Sequence, residues 1–386
     1  MQVLKRLLRI DLPDKQSAFL WGPRKTGKTS FLRATFPDSL TFDMRQTDVY
    51  LELIKTPSLF REQVLAAPAT VLRKPIIVDE VQKVPALLDE IHWLIENRGL
   101  RFILSGSSAR KVRRGKANLL GGRAWRFEMH PLVFPEVPDF ELLRALNRGL
   151  LAAHYLQNGY RKSLQAYGQD YLKEEVFGEG LTRNIAAFSR FVDAVAYSHG
   201  ELTNYANIAR DCGVDAKTVK EYYQILVDTL LGVMVEPYAR RKGREVISKA
   251  GKFYLFDVGV AGSLIKRHLT AARGEQFGRA FGHFVLMQLL AHRSYTELGY
   301  DIHFWRTKSG LEVDFVLGLG EVAVEVKGSD RVGPGMFQAL RAFIEEHRPG
   351  KALLVCNEPR ARLHAGVLVL PWRDFLEGLW GGQIIS

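Results

Sequence analysis

The sequence predicts an α/β fold: a mainly parallel, doubly wound sheet, then a helical module, then a second α/β domain. Three observations predict the first part. The apolar stretch Ala18-Phe19-Leu20-Trp21 runs into Gly22-Pro23-Arg24-Lys25-Thr26-Gly27-Lys28-Thr29, and Ser30-Phe31-Leu32-Arg33 can then open a helix. A second apolar run, Pro75-Ile76-Ile77-Val78, ends in the carboxylate pair Asp79-Glu80. A third, Arg101-Phe102-Ile103-Leu104, ends in Ser105-Gly106-Ser107-Ser108. Strands that are apolar throughout fit a parallel sheet covered on both faces, and helical segments between them supply the crossovers.

The strand, glycine loop and helix at residues 18–33 form a phosphate cradle. Loop N–H groups point inward, and the helix N-terminus adds positive partial charge. Lys28 can reach the β- and γ-phosphates, and the Thr29 hydroxyl can ligate Mg²⁺. The expected nucleotide-binding set is Gly22, Pro23, Arg24, Lys25, Thr26, Gly27, Lys28, Thr29 and Ser30, with ATP and Mg²⁺ as cofactors. A Gly-Lys-rich surface turn is the competing reading, and the strand and helix context argues against it.

Asp79 at its strand end can hold Mg²⁺ through water, alongside Thr29. Glu80 can orient and deprotonate the attacking water. Ser105 is the candidate γ-phosphate sensor, with a plain Ser/Gly turn as its alternative. A further strand is expected at Ser39–Asp43, a helix over Ser58–Ala67, and a fifth strand at Trp125–Met129. An extra strand between the phosphate loop and the acidic pair fits the additional-strand class of P-loop ATPases. The nucleotide then sits at the C-terminal edge of the strands. Arg123 is a candidate transition-state arginine, in cis or from a neighbouring subunit. It follows the basic stretch of Lys111, Arg113, Arg114 and Lys116, whose other readings are a solvated loop or a nucleic-acid contact.

The 386 residues suit two or three domains. They are placed at 1–140 (the ATPase core), 141–265 (a helical, winged-helix-like module) and 266–386 (a nuclease-like α/β domain). The net charge of +12 favours a polyanionic partner, nucleic acid before anionic lipid. Cys212 and Cys356 are the only cysteines, which excludes a disulfide framework or a zinc cluster. The amphipathic start, Met1 to Leu8, lacks the form of a secretory signal, and no apolar run approaches a membrane span. The expected compartment is the cytoplasm, with no membrane partner.

Glu201 to Leu231 reads as two helices joined at Cys212-Gly213-Val214, with Asp215 capping the second. Val219, Tyr222, Tyr223 and Leu226 form its apolar stripe. Strands at Val233–Tyr238 and Lys252–Phe256 would enclose a basic wing carrying Arg240, Arg241, Lys242, Arg244 and Lys249. Such a module suits a DNA backbone, and equally serves as packing beside an ATPase core.

In the C-terminal domain, Val313–Leu317 and Val322–Lys327 read as a hairpin. Alternation puts Glu325 and Lys327 on one face, with Asp314 opposite. Two carboxylates and a lysine can hold Mg²⁺ or Mn²⁺ and activate water against a phosphodiester, as in the Asp, Glu-x-Lys site of restriction-type nucleases. Any half-exposed strand also alternates in this way.

Three segments carry a family resemblance: the 22–29 loop, Ile77-Val78-Asp79-Glu80-Val81-Gln82-Lys83-Val84-Pro85, and Ile103-Leu104-Ser105-Gly106-Ser107-Ser108-Ala109-Arg110. They resemble a bacterial and archaeal AAA-type ATPase family whose members carry a C-terminal domain of unknown function similar to restriction-type nucleases. The resemblance runs over almost the full chain and includes the segment Trp305–Asp314. It implies a winged helix in the middle, without naming its ligand. It also implies an acid on the helix before the hairpin, where this chain has Gly282. Glu312, on the face of Asp314, is the expected substitute. The leading expectation is a Mg²⁺-dependent ATPase that switches engagement of DNA or a protein partner, with oligomerisation open. The alternatives are an ATP-gated, metal-dependent nuclease and a non-hydrolysing nucleotide switch that binds a protein.

Overall fold

In the computed structural model the described residues are 4–108, 120–168, 184–239 and 250–386. The chain divides into two compact units, Met1–Leu132 with Asp228–Leu230, and Val133–Val227 with Leu231–Ser386.

The first unit is built on a five-stranded sheet in the order β2-β3-β4-β1-β5. The strands are β1 (Ser17–Trp21), β2 (Thr41–Asp43), β3 (Ile76–Asp79), β4 (Phe102–Gly106) and β5 (Ala124–Glu128), and every pairing is parallel. β1, β3 and β4 are buried at every residue, as their apolar runs require. Helices at Lys28–Thr35, Thr47–Lys55, Ser58–Ala66 and Leu87–Arg98 intervene between strands. Phe42, Phe60, Val78, Ile91 and Phe102 belong to one apolar core beneath them. The strand lying between β1 and β3 in the sheet is β4, which carries Ser105. β2, which follows the loop in sequence, is an edge strand.

Register finishes the strands together. Trp21 pairs with Gly106, Asp79 with Ser105, and Asp43 with Asp79. The loop after β1, the carboxylates and the serine are therefore assembled at one edge of the sheet. The basic residues Lys111, Arg113, Arg114 and Lys116 lie outside the described residues.

In the second unit, the helices Tyr205–Cys212 and Ala216–Asp228 meet at Gly213, whose φ of 67° suits a residue without a side chain. Asp215 Oδ1 accepts from the Thr218 N–H at 2.8 Å and caps the second helix. Val219, Tyr222, Tyr223 and Leu226 are buried. An antiparallel pair follows, β6 (Gly232–Val235) with β7 (Lys252–Leu255). The proposed wing residues Arg240, Arg241, Lys242, Arg244 and Lys249 lie outside the described residues.

A closed hydrogen-bond circuit fastens β7 to the helix Glu275–Tyr295. The Leu255 N–H donates to His199 Nδ1 at 3.2 Å. His199 Nε2 and His283 Nδ1 are 2.9 Å apart, and His283 Nε2 is 2.7 Å from the Leu255 carbonyl oxygen. A backbone N–H can only donate and a carbonyl only accept, so both rings are neutral with the proton on Nε2. Burial pushes His283 down to about 3 and His199 well below its ordinary value.

This unit also contains a six-stranded mixed sheet in the order β12-β13-β11-β10-β9-β8. Its strands are β8 (Ile302–Arg306), β9 (Glu312–Leu317), β10 (Val322–Val326), β11 (Lys351–Cys356), β12 (Arg362–His364) and β13 (Val367–Pro371). β9 and β10 are antiparallel neighbours, Phe315 opposite Val324. Among the described residues, no helix is long and apolar enough to cross a membrane.

Candidate nucleotide site

Two glycines shape the loop after β1. A side chain on Gly22 would meet the Met129 carbonyl oxygen at 2.5 Å, so the chains pass too closely there for a Cβ. Gly27 has φ 98° and turns the chain into the helix that Lys28 begins. Lys28 is buried, and its ammonium donates to the Gly22 and Pro23 carbonyls at 2.6 and 3.1 Å. Thr26 Oγ1 donates to the Pro23 carbonyl at 2.7 Å. Arg24, Lys25 and Ser30 are exposed on the loop and first helical turn. Arg6 braces the loop from the N-terminal segment, donating to the Thr26 and His130 carbonyls, each at 2.7 Å. An isolated arginine far from the motif gives no sequence signal, and Arg6 was not anticipated.

Asp79 is the hub. Its Oδ2 accepts from the Thr29 hydroxyl at 2.7 Å, and its Oδ1 accepts from the Ser105 hydroxyl. Loop, acidic strand and serine strand thus meet on one carboxylate that is 2% exposed. Glu80 follows with φ 60°, a left-handed backbone that turns it out of the strand line. Its Oε2 accepts from Gln82 Nε2 at 2.5 Å, and the same amide donates to Ser107 Oγ at 3.1 Å.

Arg45, in the turn after β2, donates to both oxygens of Asp43 and lies 3.1 Å from Asp79 Oδ2. The hydrogen bond from Arg45 holds the Asp43 carboxyl below its usual range, against the opposing effect of burial. Asp43 in turn raises the Arg45 guanidinium. Arg123, the arginine expected from the sequence, lies elsewhere. The Arg123 carbonyl accepts from the N–H of Ser17, the first residue of β1, at 3.0 Å. Its guanidinium is ion-paired with Glu96. Since the loop follows the other end of β1, about 13–17 Å of strand separates them. A role for Arg123 in cis does not fit this position.

The C-terminal hairpin brings Asp314, Glu325 and Lys327 together. Asp314 Oδ2 accepts from the Val326 N–H at 2.8 Å, and the Lys327 ammonium pairs with Glu325 Oε1. Burial raises both carboxyls, and each also feels a neighbouring negative charge. Glu325 Oε2 is buried without a hydrogen-bond partner. Glu312 is near enough for its charge to raise Asp314, yet its oxygens are committed to the Lys252 ammonium and to Arg306 Nη1 at 2.9 Å, so it does not serve as the expected substitute acid. A Cβ at Gly282 would meet nothing within 4 Å, so there is open space where an acid was expected. Among the described residues, no group of three or more His, Cys, Asp or Glu side chains is arranged to hold a metal.

Residues 14–138 match the family model described as an AAA domain. Residues 140–270 and 277–375 match two domains of unknown function. Uncharacterized proteins of Mycobacterium bovis and Mycobacterium tuberculosis are each 25% identical over 376 residues, 94% of this chain and 82% of theirs. The Walker-type ATPase of Pyrococcus abyssi is similar at 16% identity and a TM-score of 0.41, over 64% of this chain and 90% of that one. The Aeropyrum pernix ORC1 protein, solved in complex with DNA, has 13% identity and a TM-score of 0.28, over 65% of this chain and 86% of that one. The segment 14–138 is an AAA-type domain.

Proposed function

We propose that the chain binds Mg²⁺·ATP on the 22–29 loop and hydrolyses it, and that the nucleotide state governs how the second unit engages DNA or a protein. The observation that carries this is the junction of Thr29 and Ser105 on Asp79. A hydroxyl at a helix start beside a strand-end carboxylate is the donor set that suits magnesium with a triphosphate. Thr29, and Asp79 through water, would hold Mg²⁺, which when bound neutralises phosphate charge.

The protein groups divide the remaining work. Lys28 exchanges its loop carbonyls for phosphate oxygens. The loop amides and the helix N-terminus fix the anion. Glu80, once its Oε2 is released from Gln82, accepts the proton of the attacking water. Ser105 links Asp79 to the terminal phosphate as sensor. For the second unit, the paired helices and the hairpin after them favour DNA as partner.

The test is ATP turnover with and without duplex DNA. Stimulation by DNA supports coupling to nucleic acid. Turnover that ignores DNA at low salt points to a protein partner instead.

A second reading, metal-dependent DNA cleavage, draws on the gathered Asp314, Glu325 and Lys327 and the orphaned Glu325 Oε2. It requires nicking under Mg²⁺ or Mn²⁺ that disappears in Asp314→Ala and Lys327→Ala. The missing third acid makes it the weaker of the two.

A further inference from the structure

The turn between β2 and the helix Thr47–Lys55 places a cation at the heart of the site. Arg45 donates from Nε to Asp43 Oδ1 at 2.8 Å and from Nη2 to Asp43 Oδ2 at 2.6 Å, a bidentate fork. The same Nη2 lies 3.1 Å from Asp79 Oδ2, the oxygen that also accepts from Thr29. One nitrogen therefore touches carboxylates on two neighbouring strands that face each other in register. The two acids are 10% and 2% exposed. Adjacent, poorly hydrated carboxylates repel unless a cation lies between them.

Arg33 Nη2 also lies 3.8 Å from Asp43 Oδ2, but it is Arg45 that bridges both acids. We infer that Arg45 is the bridging cation of the site: without nucleotide, its guanidinium fills the position at Asp43 and Asp79 that a divalent ion would otherwise take. Metal then enters only with a triphosphate, whose negative charge can accommodate both cations. The Arg45 side chain is 46% exposed, so it has a solvent side toward which to move. This second step rests on the nucleotide reading above, whereas the exclusion of metal rests on the carboxylate pair alone. A mere brace between β2 and β3 would affect stability and leave metal affinity unchanged.

The experiment measures Mn²⁺ binding to the nucleotide-free, full-length chain by the loss of the free-ion EPR signal. Removing one positive charge in contact with two carboxylates should tighten Mn²⁺ at least about tenfold in Arg45→Met. Arg45→Lys, which keeps the charge, should match wild type. Adding Asp79→Asn to Arg45→Met should abolish the gain. Arg45→Gln gives the same comparison if the methionine variant does not fold. Equal Mn²⁺ affinity in wild type and a folded, uncharged variant overturns the inference. A fluorescent ATP analogue is titrated in parallel with Mg²⁺ present. A wild type that binds no nucleotide overturns the ATP reading and leaves the Mn²⁺ comparison standing.

Discussion

Thr29 donates to Asp79 across 2.7 Å, joining the first turn of the loop's helix to a strand end fifty residues later. Ser105, from the strand between, takes the other oxygen of the same carboxylate. Each of the three residues looks ordinary alone. Parallel register converts them into a connected site, because β1, β3 and β4 end at the same edge of the sheet.

Hydrolysis should depend on Glu80 more than binding does. Glu80→Gln removes the proton acceptor while keeping shape and size. ATP affinity should stay within about threefold, and turnover should fall by about 10²-fold or more. Steady-state hydrolysis together with an equilibrium titration separates the two effects. Unchanged turnover would remove Glu80 from the mechanism.

Acid should loosen the second unit through the His199–His283 circuit. Both folded-state pKa values lie below the unfolded value of about 6.5, so this stability is full above that pH and falls as pH drops toward about 3. The slope is at most about 1.4 kcal/mol per pH unit for each histidine kept neutral. Unfolding midpoints measured from pH 7.5 to 4.5 should show the decline, with a shallower slope in His283→Gln. Parallel slopes would mean that the circuit does not control acid stability.

Glu312 should behave as a structural ion-pair residue. Lys252 is 5% exposed and its ammonium meets Glu312, so removing the carboxylate strands a buried charge. Glu312→Gln should cost about 2–4 kcal/mol by denaturant unfolding, and Lys252→Met in the same chain should recover much of it. A neutral Glu312→Gln would return this acid to the candidate metal ligands.

The sequence showed what local pattern can show. Apolar runs identified the buried strands, and the glycine and lysine spacing located the loop. The β9–β10 hairpin followed from alternation. Non-local features were hidden. Arg45 and Arg6 matter because register and chain path bring them to Asp79 and Thr26, and a lone arginine leaves no periodic trace. Arg123 follows the sensor segment in sequence, yet its carbonyl meets Ser17 at the start of β1, just before β5 begins. Glu312 shares its strand face with Asp314, but Lys252, sixty residues earlier, claims it.

In the proposed function, the 22–29 loop holds a triphosphate through Lys28. Equilibrium binding of Mg²⁺·ATP to wild type and to folded Lys28→Ala tests it most directly. Wild type should bind saturably and the variant should lose at least about a hundredfold in affinity, because a charge-assisted contact to phosphate disappears. Equal affinity in the two proteins would contradict it.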